Sequence, residues 1–261
     1  MIKHIDELIQ KMDRAYLTDC LKQSYKKKCD ILDCDENSLV EIQESLKHKI
    51  SKESKLKNIK VIAGVDLAYF KVDDKEFAVC VIVIIDYMTG NILGFVSHID
   101  KITQKYIPSC LAFREIPIFL TTSNKIKDEL NIEVDVYMFD GNGYLHPRNM
   151  GLATHAGIIL NKPTFGVAKS YFKVDNTNFI MPENLSGATT SILIKGEVYG
   201  VAYRSHKGIK PIFISTGNHI DLKTAINITS NMLSKESRIP SPTRYADKLA
   251  NRIREEVLML L

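Results

Sequence analysis

Val61 to Ile99 reads "VIAGVDLAYFKVDDKEFAVCVIVIIDYMTGNILGFVSHI", and the way this stretch divides decides the fold. "VIAGVDLAYF", "FAVCVIVIID" and "GNILGFVSHI" are short runs rich in β-branched and aromatic residues, parted by the polar breaks "KVDDKE" and "YMTG". Runs of that kind bounded by turn residues predict three strands joined as a meander. Downstream, "VDVYMFD" (134–140) is nearly all apolar, as a strand buried on both faces would be. "NMGLATHAGIIL" (149–160) predicts a small-residue helix, and "PTFGVAKS" (163–170) a fifth strand. Pro117 suits the first position of a helix running through Lys127. "TSILIKG" and "EVYGVAYRS" predict a hairpin, "KPIFIST" another strand, and Asp221 to Leu233 a helix. The last helix starts at Ser241-Pro242 and runs nearly to the end.

A meander followed by strand–helix–strand–helix is a mixed α/β order, the order that a ribonuclease-H-like sheet flanked by helices requires. Upstream of Lys60 the pattern is helical. Ile5, Leu8, Ile9 and Met12 recur at amphipathic-helix spacing. Ser38 and Glu41 have capping-box spacing, with Leu39, Ile42, Leu46 and Ile50 following on one face. No repeat or linker-like segment interrupts the chain. The expectation is a helical extension over 1–36 and one domain over 37–261.

With 45% hydrophobic and 25% charged residues, the 261-residue chain is ordinary for a globular protein. The longest apolar run, Phe77 to Ile85, is too short to span a bilayer, so no membrane partner is expected. The charged N-terminus lacks an apolar signal core, which makes a cytoplasmic location the default. Five cysteines without a CxxC or HExxH motif suggest neither a disulfide framework nor a zinc site. A net charge of +4 permits an anionic partner without requiring one.

Several carboxylates lie where carboxylates are costly. Asp66 sits inside an apolar strand, where an ionised group must be paired or bind a metal, unless it serves a turn or a bulge beside Gly64. Asp140 ends a buried strand, the end at which open α/β sheets bind ligands, although Asp140-Gly141 is also a common turn pair. Glu115 stands just ahead of the expected helix, where the helix dipole alone could account for it. Asp247 follows Arg244 by three residues on a helix and could form a surface ion pair with it. Taken together, oxygen ligands at strand ends and helix starts suit Mg²⁺ or Mn²⁺ better than zinc. His146 fits either a core histidine or a site group. Arg148 beside it suits a phosphate, and Lys169 either reaches solvent or supplies charge to an anionic substrate.

"AGVDLAY", "YIPSCLAFREIP", "DGNGYLHPRNMGLATHAGI", "PTFGVAKS", "PIFISTGN" and "RIPSPTRYAD" occur in that order. The series resembles the motifs of the endonuclease V family and covers roughly Ser38 to the C-terminus. The block from Asp140 to Gly157 followed by "GVAKS" is its most specific part.

The resemblance implies a ribonuclease-H-like fold and a Mg²⁺-dependent endonuclease, with Mn²⁺ able to substitute. Its substrate would be DNA containing deoxyinosine, the product of adenine deamination. The cut would fall at the second phosphodiester bond 3′ to the lesion, leaving 3′-hydroxyl and 5′-phosphate ends and so initiating DNA repair. The family's metal-binding carboxylates fall on Asp66, Glu115 and Asp140, and a later acidic position on Asp247. Its active-site histidine falls on His146 and its lysine on Lys169. The strand-inserting wedge falls on Tyr106, Ile107 and Pro108. Ser109, Leu111, Gly141, Arg148 and Gly151 complete the expected substrate contacts.

Two positions depart from the pattern. Ser109 and Cys110 stand where the wedge usually continues with glycine, and Asn218-His219 where a histidine and then an arginine are more usual. The alternatives are an inosine-specific endoribonuclease, or a catalytically weak nucleic-acid-binding protein on the same scaffold. A phosphomonoesterase is a poorer fit, because a small substrate needs no wedge. The presence of every matched carboxylate favours cleavage over mere binding.

Overall fold

The computed structural model of the protein describes residues 34–54 and 56–261. The helix expected around Ile5 to Met12 and most of the 1–36 extension lie outside the described residues. Helix α1 (Glu36–Leu46) leads into a short 3-10 turn (Lys47–Lys49). Then come strands β1 (Val61–Val72), β2 (Lys75–Asp86) and β3 (Ile92–Lys101), helix α2 (Ala112–Lys125), a π turn (Ile126–Leu130) and β4 (Val136–Phe139). Helix α3 (Leu152–Leu160) and strands β5 (Thr164–Ala168), β6 (Thr189–Ile194), β7 (Glu197–Tyr203) and β8 (Ile212–Asn218) follow. Helices α4 (Leu222–Asn231) and α5 (Ser241–Leu260) close the chain.

The eight strands form one sheet in the order β3-β2-β1-β4-β5-β8-β7-β6. The meander is as read: β1 pairs antiparallel with β2 along its whole length, and β2 with β3. Asp73 and Asp74 turn the first hairpin with φ of 47° and 62°. A two-residue turn of that hand matches strand twist, and Asp is among the few residues that tolerate it. Strands β4 and β5 then add parallel to β1, which makes the sheet mixed and ribonuclease-H-like. Alternation along the strands sends one set of side chains to each face. Ile62, Ala68 and Phe70 of β1 pack with Ala246, Leu249 and Ile253 of α5. Ala63 and Val65 point the other way, to Ile116 and Phe119 of α2 and Ala153 of α3. Among the described residues no helix is long and apolar enough to cross a membrane.

Helix boundaries correct three readings. Asp35, not Ser38, caps α1: its carboxylate accepts the Ser38 N–H at 2.8 Å, so the serine sits inside the first turn. The helix stops at Leu46, so Ile50 is off its face, and Ile42 is exposed while Gln43 is buried. Helix α2 begins at Ala112 and ends at Lys125, with Pro117 inside it. A proline within a helix forfeits one backbone bond. Here burial of Ala112, Glu115 and Ile116 on the preceding turn favours starting the helix early. Glu115 therefore lies within the helix rather than ahead of it.

Candidate active site

Strand register brings the first two carboxylates together. Val65 of β1 lies beside Phe139 of β4, so the next residues in each chain, Asp66 and Asp140, are neighbours at the carboxyl end of a parallel pair. The Asp140 N–H donates to the Val65 carbonyl at 3.0 Å, which continues the ladder one step past the strand. Asp66 lies within a regular strand opposite Val81 rather than at a bulge. The third carboxylate comes from α5. A Cβ on Gly64 would lie 2.1 Å from the Pro242 carbonyl carbon, so only glycine lets the start of α5 press onto β1 there. Gly64 and Asp66 share the face that α5 covers, and Asp247 descends beside Asp66.

Oxygens of Asp66, Asp140 and Asp247 lie within 4.8 Å of one another. Lys169, just past β5, donates to Asp140 at 2.5 Å and to Asp247 at 3.1 Å. Asp247 thus pairs with the lysine, while Arg244 turns to Ser234 and Glu236. Burial, and after it the neighbouring Asp140 charge, pushes the Asp66 carboxyl up to about 9. Burial likewise raises Asp140, against the pull of Lys169. Burial would lower Lys169, but the Asp140 carboxylate overrides it and holds the ammonium well above its usual range. Three crowded oxygen ligands with excess negative charge form a site that fits a hard divalent cation.

Glu115 stands apart from this trio. It reaches in from α2 on the other face of the sheet, and its Oε1 accepts from the Tyr69 hydroxyl at 2.8 Å. Burial pushes its carboxyl up to about 7, the Tyr69 bond opposes that shift, and Asp140 adds to it.

Beside the carboxylates lies a cavity of about 200 Å³, lined by Tyr106, Ser109, Leu111, Ala112, Gly141, Asn142, His146, Met150, Gly151, Leu152 and Phe172. Of the expected substrate contacts, Tyr106, Ser109, Leu111, Gly141 and Gly151 line it, and Ile107, Pro108 and Arg148 do not. His146 belongs to this wall rather than to the acidic cluster. Its Nδ1 accepts the N–H groups of Arg148 and Met150 at 3.2 and 3.3 Å, so the proton sits on Nε2, which donates to the Ser109 carbonyl at 2.9 Å. Burial, and then the Arg148 charge, lowers its pKa to about 4. With both nitrogens bound to backbone, the ring is a neutral wall stacked 6.0 Å from Phe172. Arg148 likewise turns inward, to Gln43 and the Ser109 carbonyl, instead of outward to phosphate.

Asn218 and His219 serve the scaffold: Asn218 bonds the Ser51 N–H and the Gly157 carbonyl, and His219 bonds Asn161. Sequence reasoning missed Asn142, Met150 and Phe172. Asn142 was legible inside the "DGNG" turn; the other two carry no polar signal.

Ser109 adopts a left-handed φ of 63° at the position where the resembled motif has glycine. That conformation costs a non-glycine residue roughly 1 kcal/mol. Ser109→Gly is therefore expected to raise the melting midpoint by about 2–4 °C in a thermal scan. An unchanged or lower midpoint would mean the serine is unstrained.

A sequence profile described as Endonuclease V matches residues 44–248. Endonuclease V of Bacillus thuringiensis subsp. konkukian is 46% identical over 230 residues, spanning 86% of this chain and 96% of that protein. The crystal structure of endonuclease V from Bacillus subtilis superposes with a TM-score of 0.84 at 40% identity, over 89% of this chain and 98% of that one. Endonuclease V of Ciona intestinalis, solved with a 24-mer DNA containing an inosine followed by a ribo-adenosine, superposes at 0.75 with 29% identity, over 86% and 98%.

Proposed function

The chain belongs to the endonuclease V family, and on that premise we propose that it cleaves DNA containing deoxyinosine, at the second phosphodiester bond 3′ to the lesion, leaving 3′-hydroxyl and 5′-phosphate ends. The observation that carries this reading is the adjacency of two sites. An acidic trio with a lysine lies next to a base-sized cavity with an exposed tyrosine at its rim.

Asp66, Asp140 and Asp247 would hold the divalent cation, Mg²⁺ by the hardness of the donors, with Mn²⁺ as a substitute. When bound, the cation supplies an activated water and neutralises charge at the leaving oxygen. Lys169 keeps a fixed positive charge where a scissile phosphate would approach. Glu115, whose carboxyl is near neutrality, can hold or release a proton at the margin of the site. Tyr106 is 65% exposed and suits a wedge that fills the gap left by an extruded base.

The cavity supports recognition of hypoxanthine by its Watson–Crick edge. It lies at the start of α2, where the leading N–H groups have no carbonyl one turn back to bond. The Cys110 N–H is occupied by the Ile107 carbonyl, which leaves Leu111 and Ala112, both cavity residues, to face a 6-oxo group. His146 and Phe172 form an aromatic wall for the ring.

Inosine-containing RNA is a second reading, favoured by the ribonucleotide that follows inosine in the ligand of the Ciona protein. Incubation with Mg²⁺ and strands carrying a single inosine, as DNA and as RNA, tests both. Product ends mapped to the second bond 3′ of deoxyinosine are expected. Intact DNA would refute the primary reading.

Catalysis is assigned to residues 37–261, with 1–36 as an extension. Deleting residues 1–33 is expected to leave the cleavage rate near that of the full chain while keeping the Asp35 cap of α1. A folded truncation without activity would place the extension in the substrate site.

A further inference from the structure

Gln43 is wholly buried, one turn after Leu39 on the inward face of α1. An amide there is costly unless its polar atoms are satisfied, and a leucine would fill the same face without that demand. Its partners are the two walls of the cavity. The Gln43 Nε2 group donates to the Ser109 carbonyl at 3.1 Å and to the Met150 carbonyl at 3.4 Å. Its Oε1 accepts from Arg148 Nε at 2.5 Å. Arg148 Nη2 and His146 Nε2 also donate to the Ser109 carbonyl, each at 2.9 Å. Three side chains from two distant segments thus converge on one peptide oxygen, that of the residue held in a left-handed conformation. The next residues along are Cys110 and Leu111, whose backbone leads into α2 at the cavity.

We propose that Gln43 is a positioning residue for base selection: it clamps the Ser109 peptide to the His146–Met150 loop and so fixes the distance between the two walls of the cavity. The proposal rests on reading that cavity as the base pocket. Gln43 touches no reacting atom, so its loss should weaken recognition and spare the chemical step. With two or three buried hydrogen bonds removed, the expected change is about tenfold.

Two variants of the full chain separate clamping from simple packing. Gln43→Leu removes both halves of the clamp. Gln43→Glu keeps an acceptor for Arg148 but cannot donate to the Ser109 carbonyl. Single-turnover cleavage with Mg²⁺ is measured against concentration on matched strands bearing hypoxanthine or adenine. Hydrogen–deuterium exchange over 106–112 and the melting midpoint are measured alongside.

For Gln43→Glu, about tenfold weaker half-saturation on hypoxanthine is expected, with a maximal rate near wild type, faster exchange over 106–112 and a midpoint lowered by several degrees, since two buried carbonyls lose their donor. Gln43→Leu should show the same kinetic split. Wild-type half-saturation and exchange in both variants would overturn the proposal, as would a loss confined to the maximal rate. Wild-type protein that cleaves hypoxanthine and adenine strands equally would instead overturn the base-pocket reading, and unchanged exchange in the variants would then overturn the clamp as well.

Discussion

Asp140→Asn is expected to abolish strand cleavage while leaving a folded protein. Asp140 sits at the centre of the acidic site: it neighbours Asp66 across the parallel register and holds Lys169 at 2.5 Å. An amide removes one of three anionic ligands and the main partner of the lysine. Losing several kcal/mol of charge stabilisation corresponds to a rate reduced on the order of a thousandfold or more. The fold should stand for two reasons. The backbone N–H bond to Val65 does not involve the side chain. Burial penalises the carboxylate and pushes its pKa up, so a neutral group relieves that penalty while Lys169 keeps Asp247 as a partner. Single-turnover cleavage and a thermal scan of the same preparation check both halves. Wild-type cleavage by the folded variant would remove Asp140 from the site.

Tyr106→Ala is expected to lower cleavage at hypoxanthine about tenfold while the preference for hypoxanthine over adenine survives. Tyr106 is mostly exposed, with its ring 5.9 Å from the Arg114 guanidinium, so trimming it should not disturb the core. On the proposed reading its loss removes a wedge that holds the strand open, a step common to every base. On the same reading, selection would lie deeper, at the N–H groups opening α2. Those donors match the 6-oxo group of hypoxanthine and oppose the amino group of adenine. Each unpaired buried donor costs about 1–3 kcal/mol, so two mismatches give discrimination of roughly a hundredfold or more. A variant that cleaves at the normal rate would deny the wedge role; one that loses its preference would put base selection at the rim.

Much of this was legible in the chain because the sheet is built from local pattern. Alternation and turn residues marked all three meander strands, and the apolar run ending at Asp140 marked β4. Once β1 and β4 are parallel, the neighbouring of Asp66 and Asp140 follows from register. Helix boundaries were harder, since packing competes with local signals. Pro117 looked like a start, yet burial of Ala112 and Ile116 extends α2 before it. Ser38 looked like a cap, yet Asp35 three residues earlier offers the stronger acceptor.

In the site, the resemblance puts Glu115 with Asp66 and Asp140 as metal ligands and Asp247 apart, whereas the structure gathers Asp247 with the two aspartates; which of them joins depends on which face of the sheet each helix covers. Composition does not encode that. Gln43, Met150 and Phe172 were invisible for a similar reason. Each is an ordinary residue whose importance comes from a contact with segments far away in the chain.

The most direct measurement is single-turnover cleavage by the wild-type protein, with Mg²⁺, of two DNA strands identical except for hypoxanthine or adenine at one position, with the cut bond mapped. The account predicts cleavage of the hypoxanthine strand roughly a hundredfold or more faster than of the adenine strand, at the second phosphodiester bond on the 3′ side of hypoxanthine, with a 5′-phosphate on the downstream product. Equal rates on the two strands would contradict it.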